Sequence, residues 1–182
     1  LQKMHPRVLN IYTGGSFLDD KEISMNVQDT VIKQIKNNPD IETLFIESRP
    51  EFISAEILNS LVSALRPKTL KIGIGLEAQD DTVRNQYINK GISKEAYEKA
   101  VKEAHNAGAR VLTYLLIKPL NLSEKQAIEE AVLSAKYAIF HGSDEVSFEA
   151  ACVQKGTRME EIYKRGQYRP PWLWSIIEVL RR

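Results

Sequence analysis

Cysteine is almost absent from this chain, since Cys152 is the only one among its 182 residues. A single thiol excludes a disulfide framework and a metal site built from cysteine alone. Long apolar runs are lacking too, because no stretch of about 18 apolar residues and no signal-peptide pattern occurs. We therefore expect a cytoplasmic protein with no membrane partner.

Excess charge of either sign is also lacking, because 25 Lys and Arg residues are balanced by 24 Asp and Glu residues, for a net charge of +1. This balance gives no global electrostatic case for binding nucleic acid. The tryptophan pair Trp172 and Trp174 either packs against the flank of the fold or stacks on a base. The C-terminal end is locally basic, which fits a solvated surface or a binding surface, through Lys155, Arg158, Lys164, Arg165, Arg169, Arg181 and Arg182.

The composition, 43% hydrophobic and 27% charged, is typical of a chain that buries a real core. We predict one globular domain over residues 1–182. The chain begins with leucine rather than methionine and enters an apolar strand within a few residues. We therefore expect it to be a fragment of a longer polypeptide.

The stretch from 70 to 91 carries the clearest local pattern. Apolar residues alternate there with Gly73 and Gly75, which predicts a buried strand with open space on one face. An acid-rich turn follows, in which Asp80 or Asp81 can cap a helix. Polar groups at the carboxyl end of such a strand are typical of ligand sites in α/β folds.

The whole chain alternates strands and helices. Strands are predicted to begin near positions 8, 43, 70, 110 and 145, and a helix follows each one. The first helix is expected to open at Asp19 or Asp20, a capping box at Ser123 to open another, and the last strand to run from 145 to 153. A doubly wound parallel sheet and a partial (β/α) barrel both fit this alternation.

Every conspicuous polar cluster follows a predicted strand. Convergence from all five strands favours the barrel, because the site of an open sheet concentrates at one switch point. The residues alone leave the Gly-Gly turn open as an ordinary turn or a binding loop, and Glu47 as a ligand-facing carboxylate or a partner of Arg49. The clusters are Gly14 to Ser16, Glu47 to Arg49, Glu77 to Asp81, Lys118, and Gln154 to Thr157.

The succession TGGSF, IESRPEF, KIGIGLEAQDDTVRNQYINKG, LLIKP and VQKGT resembles the radical S-adenosylmethionine (SAM) barrel of the Elongator catalytic subunit type. The INKG turn and the closing RGQYRPPWLWSIIEVL are similar to phrases in the archaeal proteins described as the radical SAM subunit of archaeosine synthase. The resemblance covers nearly the whole chain. It implies an α/β fold, a partial (β/α) barrel of parallel strands that lacks the first strand and the cluster loop.

The resemblance also implies where SAM binds. The backbone of Gly14 and Gly15 would hold its amino group, while Ser16 stands where many members carry Glu or Thr. Glu47 is expected near the methionine moiety. Glu77, where relatives carry Gln, is expected to accept hydrogen bonds from the ribose hydroxyls.

Further cofactor-binding residues follow from the same resemblance. Lys118 would offer a cation to the methionine carboxylate, and Arg49 belongs to the same strand-end turn as Glu47. Val153 and Gln154 lie in the turn expected beside adenine. No catalytic residue and no metal ligand is assigned.

The iron-sulfur cluster of the family is the main departure. A CxxxCxxC loop supplies three thiolates and leaves one iron of a 4Fe-4S cluster open for SAM, and this chain has no such loop. Cys152 on the last strand does not replace it. Because VLNIYT resembles the second strand of the barrel, the loop is expected N-terminal to it. The cluster is thus expected in the full-length protein but not ligated by this chain.

The implied reaction is radical chemistry in tRNA modification. A 5′-deoxyadenosyl radical would cleave a lysine-modified deazaguanine in tRNA to archaeosine. The implied partners are the tRNA substrate and the lysine-transferring archaeosine synthase subunit. This fragment alone would be inactive without the cluster cysteines.

Two other hypotheses remain open. One is a non-catalytic tRNA-binding or partner-binding barrel module that uses the basic, aromatic C-terminal end. The other is a barrel aldolase or isomerase with Lys118 as a Schiff-base nucleophile and Glu47 or Glu77 as its acid-base partner.

Overall fold

The computed structural model describes residues 6–182. Its strands are β1 (Val8–Ile11), β2 (Thr43–Glu47), β3 (Thr69–Glu77), β4 (Arg110–Ile117) and β5 (Glu145–Ala150). Its α-helices are α1 (Met25–Asn37), α2 (Ala55–Leu65), α3 (Lys94–Ala107), α4 (Glu124–Phe140), α5 (Arg158–Lys164) and α6 (Leu173–Arg181). A 3-10 turn at Pro50–Phe52 and a π-helix at Val83–Tyr87 complete the regular structure of these residues.

The five strands form one sheet in the order β1-β2-β3-β4-β5. β2 pairs in parallel with β1 and with β3, so that Leu44 stands beside Leu9 on one side and Leu70 on the other. Strictly sequential order is that of a (β/α) barrel, because a doubly wound sheet reverses its order at a switch point. β1 is an end strand of this order, and Val8 is half exposed.

The described chain divides into two compact units. The first takes in the chain up to Gly75, with Glu95–Thr113 and His141–Glu145. Its core combines aliphatic side chains of the strands and of the buried face of α2 with the buried rings of Phe17, Phe45 and Tyr97. Fully buried members of this core include Leu44, Ile46, Leu58, Leu65, Leu70 and Ile72.

A buried polar chain crosses the core of the first unit. The hydroxyl of Tyr97 lies 2.7 Å from the hydroxyl of Thr113, which lies 2.7 Å from the hydroxyl of Ser143. Burial raises the pKa of Tyr97 to about 12, although both hydroxyls oppose that shift. Each hydroxyl therefore has a partner where an unpaired one would be costly.

The second unit takes in Leu76–Lys94, Tyr114–Phe140 and Val146–Arg182. α4 and α6 contact each other in it. The apolar cluster of this unit places Ile117 of β4 with Ala131 and Val132 of α4 and Val179 of α6. Serine caps this part of the chain as predicted, since Ser123 Oγ accepts from the amide of Gln126 at 3.4 Å.

Two predicted boundaries are wrong. α1 begins at Met25 rather than at Asp19 or Asp20, because the Asp19 carboxylate accepts from the amide of Lys21 and closes a tight turn there. Such side-chain bonds compete with helix formation. β5 ends at Ala150 rather than near 153. Among residues 6–182, no helix is both long and apolar enough to cross a bilayer.

Candidate functional site

The loop after β1 folds around a carboxylate that the sequence did not single out. Ser16 donates its amide to Glu22 Oε2 at 2.7 Å, and the amide of Gly15 donates to the hydroxyl of Thr13 at 3.3 Å. A Cβ on Gly15 would lie 1.9 Å from Glu22 Oε2, so glycine is required for this close approach. Gly14 has a φ of +69° and open space where a Cβ would project.

This loop is bonded to the turn after β2. The amide of Arg49 donates to Ser16 Oγ at 3.1 Å, and the amide of Phe17 donates to the carbonyl of Glu47 at 2.8 Å. Ser16 is fully buried, while Glu47 is partly exposed. The guanidinium of Arg49 donates to Glu51. The structure thus brings the predicted residues of the first unit together at the carboxyl ends of β1 and β2.

Glu77 closes β3 in the second unit with a φ of +66°, a conformation that favours glycine. Its carboxylate accepts from Lys90 Nζ at 2.7 Å, and both side chains are about one-fifth exposed. The predicted cap is present, because Asp80 Oδ1 accepts from the amide of Val83. The helix that follows is a π-helix. Such helices are rare in proteins overall, and those that occur often lie at functional sites.

Arg84 holds this strand-end turn together, and sequence reasoning missed it. The side chain is fully buried, and it donates to the carbonyls of Ile92 (3.0 Å), Ala78 (3.0 Å) and Gln79 (3.1 Å). It also forms an ion pair with Asp81. Four of its partners lie within one loop, so the guanidinium fixes the path of the chain between Glu77 and Ile92. Three of these four acceptors are main-chain atoms, which residue types do not reveal, so the i,i+3 spacing of Asp81 and Arg84 was the available local signal.

Lys118 follows β4 with a φ of +58°, and its side chain is almost fully buried. Its ammonium forms an ion pair with Glu124 and lies 5.8 Å from the centre of the Tyr168 ring. Tyr168 donates its hydroxyl to the carbonyl of Lys118 at 2.9 Å, and Glu124 accepts from the amide of Trp172 at 2.7 Å. The carboxylate that contacts Lys118 is thus Glu124, which sequence reasoning did not name.

The contacts around Lys118 shift the pKa values of Glu124 and Tyr168. Burial alone would raise the pKa of Glu124, but hydrogen bonds from Lys118, Ser175 and Trp172 outweigh it and lower that pKa. Burial, followed by the charge of Glu124, raises the pKa of Tyr168 to about 12. At neutral pH Glu124 is therefore a carboxylate and Tyr168 a neutral phenol.

The turn after β5 caps the next helix. Thr157 Oγ1 accepts from the amide of Glu160 at 3.2 Å and donates to the carbonyl of Gln154 at 2.7 Å. The side-chain nitrogen of Gln154, Nε2, lies 4.0 Å from Cys152 Sγ, and Val153 is partly exposed. Val153 and Gln154 therefore precede a fixed helix cap.

The described residues do not fit an iron-sulfur cluster. Cys152 is exposed, and no group of three or more His, Cys, Asp or Glu side chains among residues 6–182 is arranged to hold a metal ion. A cluster with an open iron requires three thiolates. Taken by themselves, the loop with Gly14 and Glu47 in the first unit and the turn with Glu77 in the second each offer an exposed or partly exposed carboxylate and main-chain groups. Such groups suit the ammonium and hydroxyl groups of SAM.

Comparison with solved structures defines the class of fold. The archaeal Elp3 of Methanocaldococcus infernus has a TM-score of 0.64 at 23% identity, covering 86% of this chain and 37% of that one. The radical SAM methyltransferase TsrM of Kitasatospora setae, solved with cobalamin and a 4Fe-4S cluster, has a TM-score of 0.65 at 13% identity, covering 87% of this chain and 31% of that one. The predicted α/β fold, a partial (β/α) barrel of parallel strands of the radical SAM type, is confirmed.

Curated relatives then confirm the particular resemblance. The chain is homologous to archaeosine synthase subunit beta of Methanosarcina acetivorans, with 38% identity over 181 residues, 100% of this chain and 52% of that protein. The Thermococcus kodakarensis protein of the same name is 37% identical over 175 residues, 96% of this chain and 54% of that protein. The chain spans about half the length of these curated relatives. No family model matches it.

Proposed function

We propose that this chain is the barrel core of a radical SAM enzyme in tRNA modification. The observation that carries the proposal is the 38% identity to archaeosine synthase subunit beta over the whole chain. In its finer form, the full-length protein releases archaeosine from a lysine-modified deazaguanine in tRNA. The subunit name of the relatives supports a complex with at least one other subunit, and we propose that this partner transfers the lysine.

We propose SAM binding for the loop after β1 and for the turn after β3, and argue each from its own residues. The loop after β1 offers main-chain atoms and the Glu22 carboxylate, which suit an ammonium group. Glu77 offers a carboxylate that is partly exposed and held by Lys90, which suits ribose hydroxyls. SAM supplies the radical chemistry when bound. The proposed SAM-binding residues are Gly14, Gly15, Ser16, Glu47, Arg49, Glu77, Lys118, Val153 and Gln154.

Unlike the groups proposed to bind SAM, ligands for the 4Fe-4S cluster are not provided by residues 6–182. The proposal requires that thiolates outside these residues hold it. The contribution of this chain is to bind and orient SAM and the substrate and to shield the reacting atoms from water.

Iron content tests the enzymatic part. The full reading frame is expressed and purified anaerobically, and its intact mass, iron and sulfide are measured. About four irons per chain are expected, because one 4Fe-4S cluster contains four. A protein that carries no iron and does not cleave SAM would refute the enzyme proposal and leave a binding module as the remaining hypothesis.

Calorimetric titration of SAM tests the binding residues. Glu77→Ala should weaken binding about tenfold to a hundredfold, because a hydrogen bond to a charged group contributes about 1.5–3 kcal/mol. Glu77→Gln should retain most of the affinity, since an amide oxygen still accepts from a hydroxyl. Glu129→Ala, an exposed carboxylate on α4, is the control. Equal affinities for Glu77→Ala and the control would rule out the ribose contact.

A further inference from the structure

We propose that the cavity beside Trp172 binds a base of single-stranded RNA, with Trp172 stacking on the base and Arg169 contacting a phosphate. This inference rests on the proposed role in tRNA modification and assigns the RNA a place on this chain. The cavity has a volume of about 380 Å³ and lies next to the end of β4. Polar, cationic and aromatic side chains line it, among them Lys118, Asn121, Glu124, Gln167, Arg169 and Trp172.

The two tryptophans present their rings to solvent. Trp172, just before α6, is 61% exposed, and Trp174, in its first turn, is 76% exposed. Other side chains of α6, Ile176 and Val179, pack in the apolar cluster of this unit. Leu173, Ile177 and Leu180 are exposed beside them, and a contiguous exposed apolar patch is typical of an interaction surface. Bases of any sequence offer a flat face that can stack on an indole ring. Packing against the flank of this unit, the other interpretation of the pair, does not account for that exposure.

The segment that carries Trp172 is held in place before any ligand arrives. Pro170 and Pro171 restrict the backbone, and the amide of Trp172 is bound by Glu124, which the buried Lys118 holds in turn. Tyr168 anchors the start of the segment through its bond to the carbonyl of Lys118. A preorganised ring loses little conformational freedom on binding, so stacking contributes more of its energy to affinity.

Charge favours a nucleic acid over an apolar protein partner. The carboxylate of Glu124 is neutralised by Lys118, which leaves the exposed Arg169 as the other cation among the residues that line the cavity. Trp172 also lines a second cavity of about 400 Å³, whose charged lining residues are Lys125, Arg182, Glu124, Glu129 and Glu178. Two of these carboxylates are paired, Glu124 with Lys118 and Glu178 with Arg181. Cations beside stacking rings are typical of single-strand RNA sites, whereas the centre of a protein interface is depleted of charge.

The chain provides its own reporter, since Trp172 and Trp174 are its only tryptophans. In the 182-residue chain with Trp174→Phe, all tryptophan emission comes from Trp172. Titration with a single-stranded RNA oligonucleotide should quench this emission as a base stacks on the ring. Saturating RNA that leaves the emission unchanged would overturn the proposal.

Affinity provides the second measurement, by fluorescence anisotropy of the labelled oligonucleotide and of an unmodified tRNA transcript. Trp172→Ala should weaken binding about fivefold to a hundredfold. Phe140→Ala removes an aromatic ring that is 83% exposed at the end of α4 and should change affinity less than twofold if the effect is specific. Equal losses in the two variants would contradict a dedicated base site.

Salt dependence isolates the phosphate contact. Arg169→Ala should reduce the slope of log affinity against log salt by about 0.7–0.9, the loss of one neutralised phosphate. Arg66→Ala, an exposed arginine after α2, should leave the slope unchanged. SAM titration of the same variants separates the two proposals. If the unsubstituted chain binds SAM but not RNA, this inference alone is overturned. If the unsubstituted chain does not bind SAM, the result counts against the proposed function.

Discussion

Replacing Arg84 with methionine should destabilise the protein by at least about 2 kcal/mol. The substitution keeps an unbranched side chain but removes the donors to three main-chain carbonyls, those of Ile92, Ala78 and Gln79. A buried carbonyl that loses its partner costs about 1–3 kcal/mol, and removal of the buried charge returns part of that sum. Since domains are stable by about 5–15 kcal/mol, the loss is readily measured.

Urea unfolding followed by circular dichroism measures this change in the free energy of unfolding. Arg110→Met is the matched control, because Arg110 is 54% exposed and its ion pairs span 3.8 and 3.5 Å to Asp144 and Glu145. Such surface pairs contribute about 0–1 kcal/mol. A loss for Arg84→Met no larger than that of the control would refute the reasoning.

A second substitution separates geometry from charge. Arg84→Lys retains the positive charge but concentrates its donors on one atom, which cannot reach acceptors on opposite sides of a guanidinium. We therefore expect Arg84→Lys to recover little of the lost stability. Full recovery would mean that charge alone, through Asp81, holds the loop. Amide exchange at Lys90, whose amide donates to the Arg84 carbonyl, would report whether the loss is local.

Three further predictions concern glycine packing and titration. Gly15→Ala should cost about 1 kcal/mol because it displaces the Glu22 carboxylate, and almost nothing in a Glu22→Ala background, which a double-mutant cycle by urea unfolding would show. Tyr97 has a folded pKa of about 12 against 10.0 for its ordinary value, so stability should hold below pH 10 and fall by about 2–3 kcal/mol as pH rises through 12; Tyr97→Phe should lack this fall in unfolding experiments. The lowered pKa of Glu124 adds stability above its unfolded value of 4.5 that is lost as pH falls through the folded pKa, and Lys118→Met should raise that pKa in an NMR titration; an unshifted pKa would contradict the ion pair.

Hydrophobic periodicity and caps predicted most of the fold. Strands expected near 43 and 110 begin at Thr43 and Arg110, and the serine cap at Ser123 opens α4 as expected. These features depend on neighbours in sequence, so local patterns contain them. The start of α1 was predicted too early, because an aspartate that suits a helix cap also suits the turn that Asp19 forms.

The candidate site was predicted less completely, for a physical reason. Residue type identified Ser16, Glu77 and Lys118, but not their partners, which are Glu22, Lys90 and Glu124 respectively. Those partners lie 6 to 13 residues away, where no helical or strand period relates them to the site. Charge pairing across irregular loops depends on the path of the chain, which periodicity does not describe.

Glu77 and Lys118 share a backbone feature with a consequence for selection. Both are charged residues in the left-handed region, with φ of +66° and +58°, where backbone energy alone favours glycine. A library selected only for thermal stability should therefore drift toward glycine at these two positions, limited by the loss of their ion pairs. Selection for the proposed SAM binding should retain the charges. Comparing the two outcomes at 77 and 118 would separate the demands of folding from those of chemistry at the strand ends.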